Sequence, residues 1–133
     1  MPVLFVNGEG MRGGAVHHNI AAHPFLGEVR TAARYRLYSV RDEFPGMVEA
    51  DAVGAPGAQV PGELYDVPLT TLLRWFLPDE PGELELSVVE LEDGSAALAM
   101  ALRPAERDRH RDITDHGGWR AYRATRPDAA VTP

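Results

Sequence analysis

Short apolar runs separated by turn residues predict a fold built mainly from strands. Residues 2–6 are apolar and partly β-branched, and Asn7-Gly8 ends the run, which is typical of a buried first strand. The clearest hairpin joins residues 84–91 to 95–102 through Asp93-Gly94, a pair typical of a tight turn. Further strands are predicted at 25–30, 35–40, 47–50 and 59–67, with a turn at 42–46.

Two other segments have helical composition. Residues 14–22 are predicted to form a short helix that ends before Pro24, because the residue preceding a proline is pushed out of the α region. Pro68 is predicted to begin a second helix, since proline is favoured in the first helical turn, and the proline-containing stretch 77–82 ends it.

Hairpin-length connections between the strands favour a mixed or antiparallel sheet curled around one core over a doubly wound parallel sheet. The 133 residues suit a single domain. We therefore expect an α+β domain that covers residues 1–126, followed by a flexible tail at 127–133.

Composition and charge exclude several classes of function. The chain has no cysteine and all 13 basic residues are arginines, so thiolate nucleophiles, Schiff-base lysines and Walker-type phosphate loops are excluded. The net charge of −7 argues against nucleic-acid or acidic-membrane partners. Because no apolar run reaches about 18 residues and the N-terminus does not resemble a signal, we expect a cytoplasmic protein.

The segment 7–14, here called the glycine loop, follows the first predicted strand and contains four glycines. Its Gly8-x-Gly10-x-x-Gly13 spacing matches the dinucleotide-binding pattern, but that fold needs further alternation of strands and helices. The glycines could serve a tight turn only. A small-molecule pocket is favoured instead, because glycines let backbone N–H groups approach an anionic or carbonyl-bearing ligand.

Two carboxylates are candidates for acid–base chemistry. Glu9 lies inside the glycine loop, and Glu80 lies in the turn after the second predicted helix. Either could transfer a proton if burial raised its pKa towards neutrality. The alternative for both is a solvated loop carboxylate, which is favoured for Glu80, so Glu9 is the first candidate.

The histidines and C-terminal aromatics have less specific patterns. His17 and His18 are adjacent, and neighbouring helical residues point about 100° apart, so they cannot both face one ion and no metal site is predicted. The segment 117–122 combines paired glycines with Trp119, Arg120 and Tyr122, and could either close a pocket or dock onto the sheet.

Several motifs together resemble the gamma-glutamylcyclotransferase-like superfamily. The glycine loop and three later segments occur in that superfamily's order: Tyr35-Arg36-Leu37-Tyr38, Pro45-Gly46-Met47-Val48 and Pro61-Gly62-Glu63-Leu64-Tyr65. One branch is more similar, the C-terminal domain of allophanate hydrolase and its stand-alone relatives. The shared motifs there are Val89-Glu90-Leu91-Glu92-Asp93-Gly94 and the stretch from Asp112-Ile113-Thr114 to Gly117-Gly118-Trp119-Arg120-Ala121-Tyr122.

The resemblance implies a small mixed/antiparallel β-barrel flanked by two or more short helices, with a pocket at the glycine loop. In cyclotransferases the loop backbone holds the substrate carboxylate, and a glutamate after the second helix is the acid/base that releases 5-oxoproline from a γ-glutamyl amine. In the allophanate hydrolase branch, the domain is associated with decarboxylating the N-carboxycarbamate left by a partner amidase domain. Asn7, Glu9 and Gly10 differ from the residues of those patterns.

We therefore expect a cofactor-independent enzyme that acts on a small carboxylate, carbamate or amide metabolite by acid–base chemistry, of lyase, cyclotransferase or decarboxylase type. The catalytic candidates are Glu9 and Glu80. The predicted substrate-binding residues are Asn7, Gly8, Gly10, Met11, Tyr38, Trp119 and Tyr122. The alternative is a non-catalytic domain that binds a metabolite or works beside an amidase or a biosynthetic enzyme.

Overall fold

The computed structural model describes residues 2–126, within which eight strands form one mixed sheet. The strands are β1 (Val3–Val6), β2 (Phe25–Arg30), β3 (Tyr35–Val40), β4 (Phe44–Glu49), β5 (Pro61–Asp66), β6 (Leu84–Glu90), β7 (Ala96–Leu102) and β8 (Arg111–Asp112). Their order is β2-β5-β1-β7-β4-β3-β8, and β6 pairs with β7.

The helical segments are short and lie between the strands. Helix α1 (Leu69–Thr71) continues directly into a π-helical turn at Leu72–Phe76 and a 3₁₀ turn at Leu77–Asp79. Helix α2 (Trp119–Ala124) comes near the end of the described chain. Single 3₁₀ turns occur at His17–Asn19, Ala50–Val53, Pro104–Glu106 and Thr114–His116.

Strand β7 is the centre of the sheet, since it pairs with three other strands. It is antiparallel to β6 over its whole length and parallel to β1 and β4, with Leu4 opposite Leu98 and Met47 opposite Ala101. A bridge between Thr31 and Leu91 joins the chain after β2 to the chain after β6. The sheet is therefore curled into a half-barrel, which confirms the predicted mixed barrel-like fold with short helices.

The core lies inside this curl, and a second cluster lies on the other face of β3 and β4. In β4, Met47 packs into the main core while Phe44 and Val48 belong to the second cluster, so both faces of the strand are buried. This explains why β4 lacks the alternation of buried and exposed positions typical of a surface strand. Other fully buried main-core residues include Leu4, Phe5, Ile20, Leu37, Leu72, Phe76 and Ile113.

The structure corrects two local predictions. Within residues 14–22 the regular helical part is the single turn His17–Asn19, because successive hydrogen bonds there close between residues three apart. Residues 44–46, predicted as a turn, are the start of β4, and the turn is at Arg41 and Asp42, whose φ values are 54° and 60°. Non-glycine residues rarely adopt such values, so composition did not mark this turn.

Two further differences concern the end of the chain. Neither helix α2 nor the two-residue strand β8 was predicted. The predicted tail at 127–133 lies outside the described residues.

A buried carboxylate in β5 links the glycine loop to α2. The Glu63 side chain is fully buried, and its Oε1 accepts hydrogen bonds from the Arg12 backbone N–H at 2.9 Å and the Tyr65 hydroxyl at 2.8 Å. Its Oε2 accepts bonds from Arg12 Nε at 3.1 Å and Arg120 Nη2 at 3.0 Å. Burial by itself would raise the pKa of Glu63, but these hydrogen bonds outweigh it and lower the pKa to about 2.

Replacing Glu63 with glutamine is expected to destabilise the protein at pH 7. Because folding lowers the pKa of Glu63, its charged form stabilises the fold above about pH 4.5, and this contribution disappears as the pH falls towards 2. The shift corresponds to roughly 3 kcal/mol in the free energy of unfolding. Urea unfolding of wild type and Glu63→Gln at pH 7 and pH 3 measures it.

The difference in the free energy of unfolding between wild type and Glu63→Gln should be smaller at pH 3 than at pH 7. A difference of the same size at both pH values would contradict the prediction. Glu28→Gln is the control, since Glu28 is exposed and its carboxylate lies 3.5 Å from Arg12. That variant should change stability by less than about 1 kcal/mol.

Candidate functional site

A cavity of about 210 Å³ lies over the end of β1, and we call it the main cavity. The glycine loop forms one wall, the start of β4 a second, and the end of the segment after α1 a third. The lining residues are Phe5, Val6, Asn7, Gly8, Glu9, Gly10, Ala15, Val16, Glu43, Phe44, Pro45, Phe76, Asp79, Glu80, Pro81, Leu84 and Met100. Several of these residues are carboxylates, and none of them is basic.

Close packing fixes the glycine loop against its neighbours. A Cβ atom at Gly8 would lie 2.4 Å from Pro45 Cδ, and one at Gly10 would lie 3.0 Å from Val6 Cγ1. The His17 Nδ1–H donates to the Gly10 carbonyl oxygen at 2.9 Å. The loop is thus a tightly packed wall of the cavity, with no room for a side chain at Gly8 and little at Gly10.

The backbone of this wall leaves donors available. The hydrogen bonds within the loop are donated by the N–H groups of Met11 and Gly14, and Val16 donates to the Glu9 carbonyl. Within residues 2–126, no hydrogen bond is donated by the N–H groups of Gly8, Glu9 or Gly10. Successive backbone N–H groups of this kind are suited to binding an oxyanion or a carbonyl oxygen.

Glu80 is the carboxylate of the main cavity whose pKa burial raises. It follows the 3₁₀ turn Leu77–Asp79 and is half-buried against the cavity wall. Burial raises the pKa of Glu80 to about 7, with a smaller contribution from the neighbouring charge of Asp79. A carboxyl group with this pKa can donate or accept a proton near neutral pH.

Glu9 is held by contacts outside the main cavity. Its Oε1 accepts a hydrogen bond from the Ala15 N–H at 3.0 Å, and its Oε2 accepts one from Trp119 Nε1 at 2.7 Å. The same Oε2 lies 3.3 Å from Arg123 Nη1. The side chain therefore connects the glycine loop to α2 and is committed to that connection.

Of the predicted site residues, the structure brings Asn7, Gly8, Glu9, Gly10 and Glu80 together around the main cavity. Met11, Tyr38, Trp119 and Tyr122 do not line it. Met11 lies in the main core, and Tyr38 lies in the second cluster, where burial raises its pKa.

The two C-terminal aromatics instead attach α2 to the rest of the fold. Trp119 binds Glu9, and the Tyr122 hydroxyl donates to Asp42 Oδ1 at 2.5 Å. Asp42 is also bound by the Ser39 hydroxyl at 2.8 Å and by Arg126 at 3.0 Å, and the Tyr122 and Ser39 hydrogen bonds are the main cause of its lowered pKa. These contacts support the turn that leads into the second cavity wall.

Sequence reasoning missed Glu43, Asp79 and Glu63 at and around the site. Asp79 could have been found from its position beside Glu80, and Glu63 from the shared motif at residues 61–65, whereas no local pattern marks Glu43. Among residues 2–126, no group of three His, Asp or Glu side chains is arranged to hold a metal ion. Over the same residues, no helix is long and apolar enough to cross a membrane.

The curled mixed sheet, with a glycine loop over the end of β1, defines a gamma-glutamylcyclotransferase-like fold. A structure of gamma-glutamyl cyclotransferase superposes with a TM-score of 0.53 at 11% identity, covering 83% of this chain and 68% of that one. At this identity the likeness concerns the fold alone.

The chain belongs to the allophanate hydrolase C-terminal domain family, whose profile matches residues 2–124. The uropathogenic E. coli-specific protein c4763 superposes with a TM-score of 0.83 at 35% identity, covering 92% of this chain and 95% of that one. Allophanate hydrolase from Kluyveromyces lactis gives 0.82 at 25% identity, covering 93% of this chain. None of the curated proteins matches the sequence.

The chain spans 21% of the length of that allophanate hydrolase, so the same domain occurs as part of a much larger enzyme. It corresponds to nearly the whole of c4763. The fold and the family together indicate a role in the processing of small molecules.

Replacing Gly8 with alanine is expected to destabilise the fold by about 1–3 kcal/mol, because the new methyl group would overlap the Pro45 ring. Urea unfolding measures the change. Gly82→Ala is the control, since a Cβ there meets nothing within 4 Å. Equal effects in the two variants would show that the contact with Pro45 does not constrain the loop.

Replacing Glu80 with glutamine is expected to stabilise the protein more at pH 8 than at pH 5. Because burial raises the pKa of Glu80 above its unfolded value, stability is lost as the pH rises from about 4.5 to 7, and glutamine removes this loss. The stabilisation by Glu80→Gln at pH 8 should exceed that at pH 5 by on the order of 1–3 kcal/mol in the free energy of unfolding.

Thermal unfolding of wild type and Glu80→Gln across this pH range measures the effect. Glu92→Gln, at an exposed position in the hairpin turn, gives the effect of removing a surface charge. A Glu80→Gln curve parallel to that of wild type would be inconsistent with a desolvated Glu80.

Proposed function

We propose that this domain is a cofactor-independent enzyme that acts on a small carboxylate, carbamate or amide metabolite in the main cavity. Its chemistry is acid–base catalysis of lyase, cyclotransferase or decarboxylase type. The observation that carries the proposal is the shared position of two elements at one cavity: a carboxyl group with a pKa of about 7 and a loop with unused N–H donors.

The glycine loop would bind the substrate's oxygen atoms. N–H groups of Gly8, Glu9 and Gly10 can donate to a carboxylate in the ground state and to a developing oxyanion in the transition state. Donors that are already fixed need no reorganisation when charge develops, and Pro45 and Val6 hold this loop in place.

Glu80 would transfer the proton. In a cyclotransferase-type reaction its carboxylate takes a proton from the attacking amine and returns it to the departing amine. In a decarboxylation its protonated form gives a proton to the nitrogen that carries the new electron pair when CO₂ leaves. Both roles need a group that changes protonation near neutral pH, as Glu80 does.

Glu9 would act as a positioning residue. Its bonds to Trp119, Arg123 and the Ala15 N–H hold the loop that carries the donors. This order reverses the ranking from the sequence, in which Glu9 was the first acid/base candidate. Both carboxylates line the main cavity, but Glu9 is bound by donors of α2, whereas burial raises the pKa of Glu80.

Glu80→Gln is expected to reduce turnover at least about 100-fold, the lower range for loss of an acid–base group. The assay is a panel of γ-glutamyl amides, N-carboxylated carbamates and ureido acids, with products followed by mass spectrometry. Glu9→Gln keeps a hydrogen-bond acceptor for Trp119, so it should retain turnover with an unchanged pH profile. Full activity in Glu80→Gln would contradict the role of Glu80 as the acid–base group. A pH dependence of turnover that is lost only in Glu9→Gln would assign that role to Glu9 instead.

An alternative function is a non-catalytic domain that binds a metabolite or works beside an amidase. The observation that favours it is the occurrence of the same domain within allophanate hydrolase, of which this chain spans 21%. The panel separates the two functions, because compounds that raise the thermal midpoint of the protein without being converted would support binding alone.

A further inference from the structure

A second cavity, of about 310 Å³, lies against α2 on another side of the glycine loop. Gly8 and Glu9 line both cavities, so the loop is a wall that they share. We call the second cavity the arginine cleft, and it is lined by Gly8, Glu9, Met11, Arg12, Gly13, Gly14, Trp119, Arg120, Arg123 and Ala124. Three guanidinium groups and one carboxylate therefore face it, in a protein whose net charge is −7.

A fully buried anion fixes the orientation of two of these arginines. Arg12 Nε and Arg120 Nη2 both bind Glu63 Oε2, at 3.1 Å and 3.0 Å, and Arg120 Nη2 also donates to the Arg12 carbonyl at 2.8 Å. Two cations share one carboxylate, which leaves an excess of positive charge at this point. Glu28, 3.5 Å from Arg12, is exposed and compensates the charge only weakly.

The same two arginines have donors to spare. Within residues 2–126, the hydrogen bonds of the Arg12 side chain use Nε and Nη2, and those of the Arg120 side chain use Nη2 alone. This leaves Arg12 Nη1 and Arg120 Nε and Nη1 available, on side chains that are half exposed. An arginine fork held in place in this way is suited to a carboxylate or a phosphate group, because less conformational entropy is lost on binding.

The remaining walls leave room for a ligand. Gly13 and Gly14 contribute no side chains, and Gly13 has a φ of 88° that favours glycine. Arg123 lies across the cleft with its guanidinium 5.5 Å from the centre of the Trp119 ring. We propose that the arginine cleft is a second ligand site, which binds a small, multiply charged oxyanion through the free edges of Arg12 and Arg120.

The test is titration of the full ¹⁵N-labelled chain with inorganic phosphate and, separately, with malonate, at constant low ionic strength. Saturable shifts of the Gly13 and Gly14 amides and of the Trp119 indole N–H are expected. Shifts with phosphate alone point to a phosphorylated ligand, shifts with malonate alone point to a dicarboxylate, and shifts with both support a general oxyanion site.

Variants establish where binding occurs. Ala124→Glu adds a carboxylate at an exposed position of the cleft wall and should weaken binding at least 10-fold, whereas Ala105→Glu makes the same charge change at an exposed site in the β7–β8 connection and should change it less than 2-fold. Arg120→Lys keeps a cation beside Glu63 but lacks the fork, and should weaken binding at least 5-fold.

Glu80→Gln should bind both anions as wild type does, so this test does not depend on catalysis in the main cavity. Absence of saturable shifts with both anions would overturn the proposal. So would shifts confined to residues outside the cleft, or equal losses in Ala124→Glu and Ala105→Glu.

Discussion

The arrangement of this domain depends on one buried carboxylate, Glu63. A charge removed from water is unfavourable unless hydrogen bonds and opposite charges replace the lost solvation. Glu63 meets this condition through Tyr65 in its own strand and through Arg12 and Arg120, which lie more than 50 residues away on either side in the sequence. The ion pairs therefore couple the position of the glycine loop to that of α2, and a structure that lost either one would leave a buried charge unpaired.

Helix α2 is bound through its side chains to three separate elements of the fold. Trp119 binds Glu9 in the glycine loop, Arg120 binds Glu63 in β5, and Tyr122 binds Asp42 in the β3–β4 turn. The loop and the turn lead into two walls of the main cavity. Helix α2 has six residues and does not line the main cavity, yet it fixes the positions of two cavity walls relative to each other. The Trp-Arg-Ala-Tyr motif therefore has a structural role.

The sequence predicted the elements that depend on local signals. The hairpin at Asp93-Gly94, the first strand and the helix that follows Pro68 were all found, because turn residues, alternation and proline act within a few residues. The turn predicted at 42–46 lies instead at Arg41–Asp42, since its left-handed backbone is held by contacts of Asp42 with Tyr122 and Arg126, about 80 residues away.

The site was predicted in part for the same reason. Four glycines mark a loop that approaches a ligand, so the residues Asn7 to Gly10 could be placed at a cavity. The sequence favoured Glu9 over Glu80, because it does not show which carboxylate meets distant donors and which is desolvated. Tyr38, Trp119 and Tyr122 were included as large aromatics, and only the fold shows that their contacts lie elsewhere.

The two sides of the glycine loop differ in charge. The main cavity contains Glu43, Asp79 and Glu80 among its lining residues, and burial, with a smaller contribution from the charge of Asp79, favours the protonated form of Glu80. The other side of the loop faces three arginines, and there Glu9 is compensated. The Glu9 carboxylate is thus bound by donors from α2, whereas the raised pKa belongs to Glu80, and this contrast supports the proposal that Glu80 is the acid–base group of the main cavity.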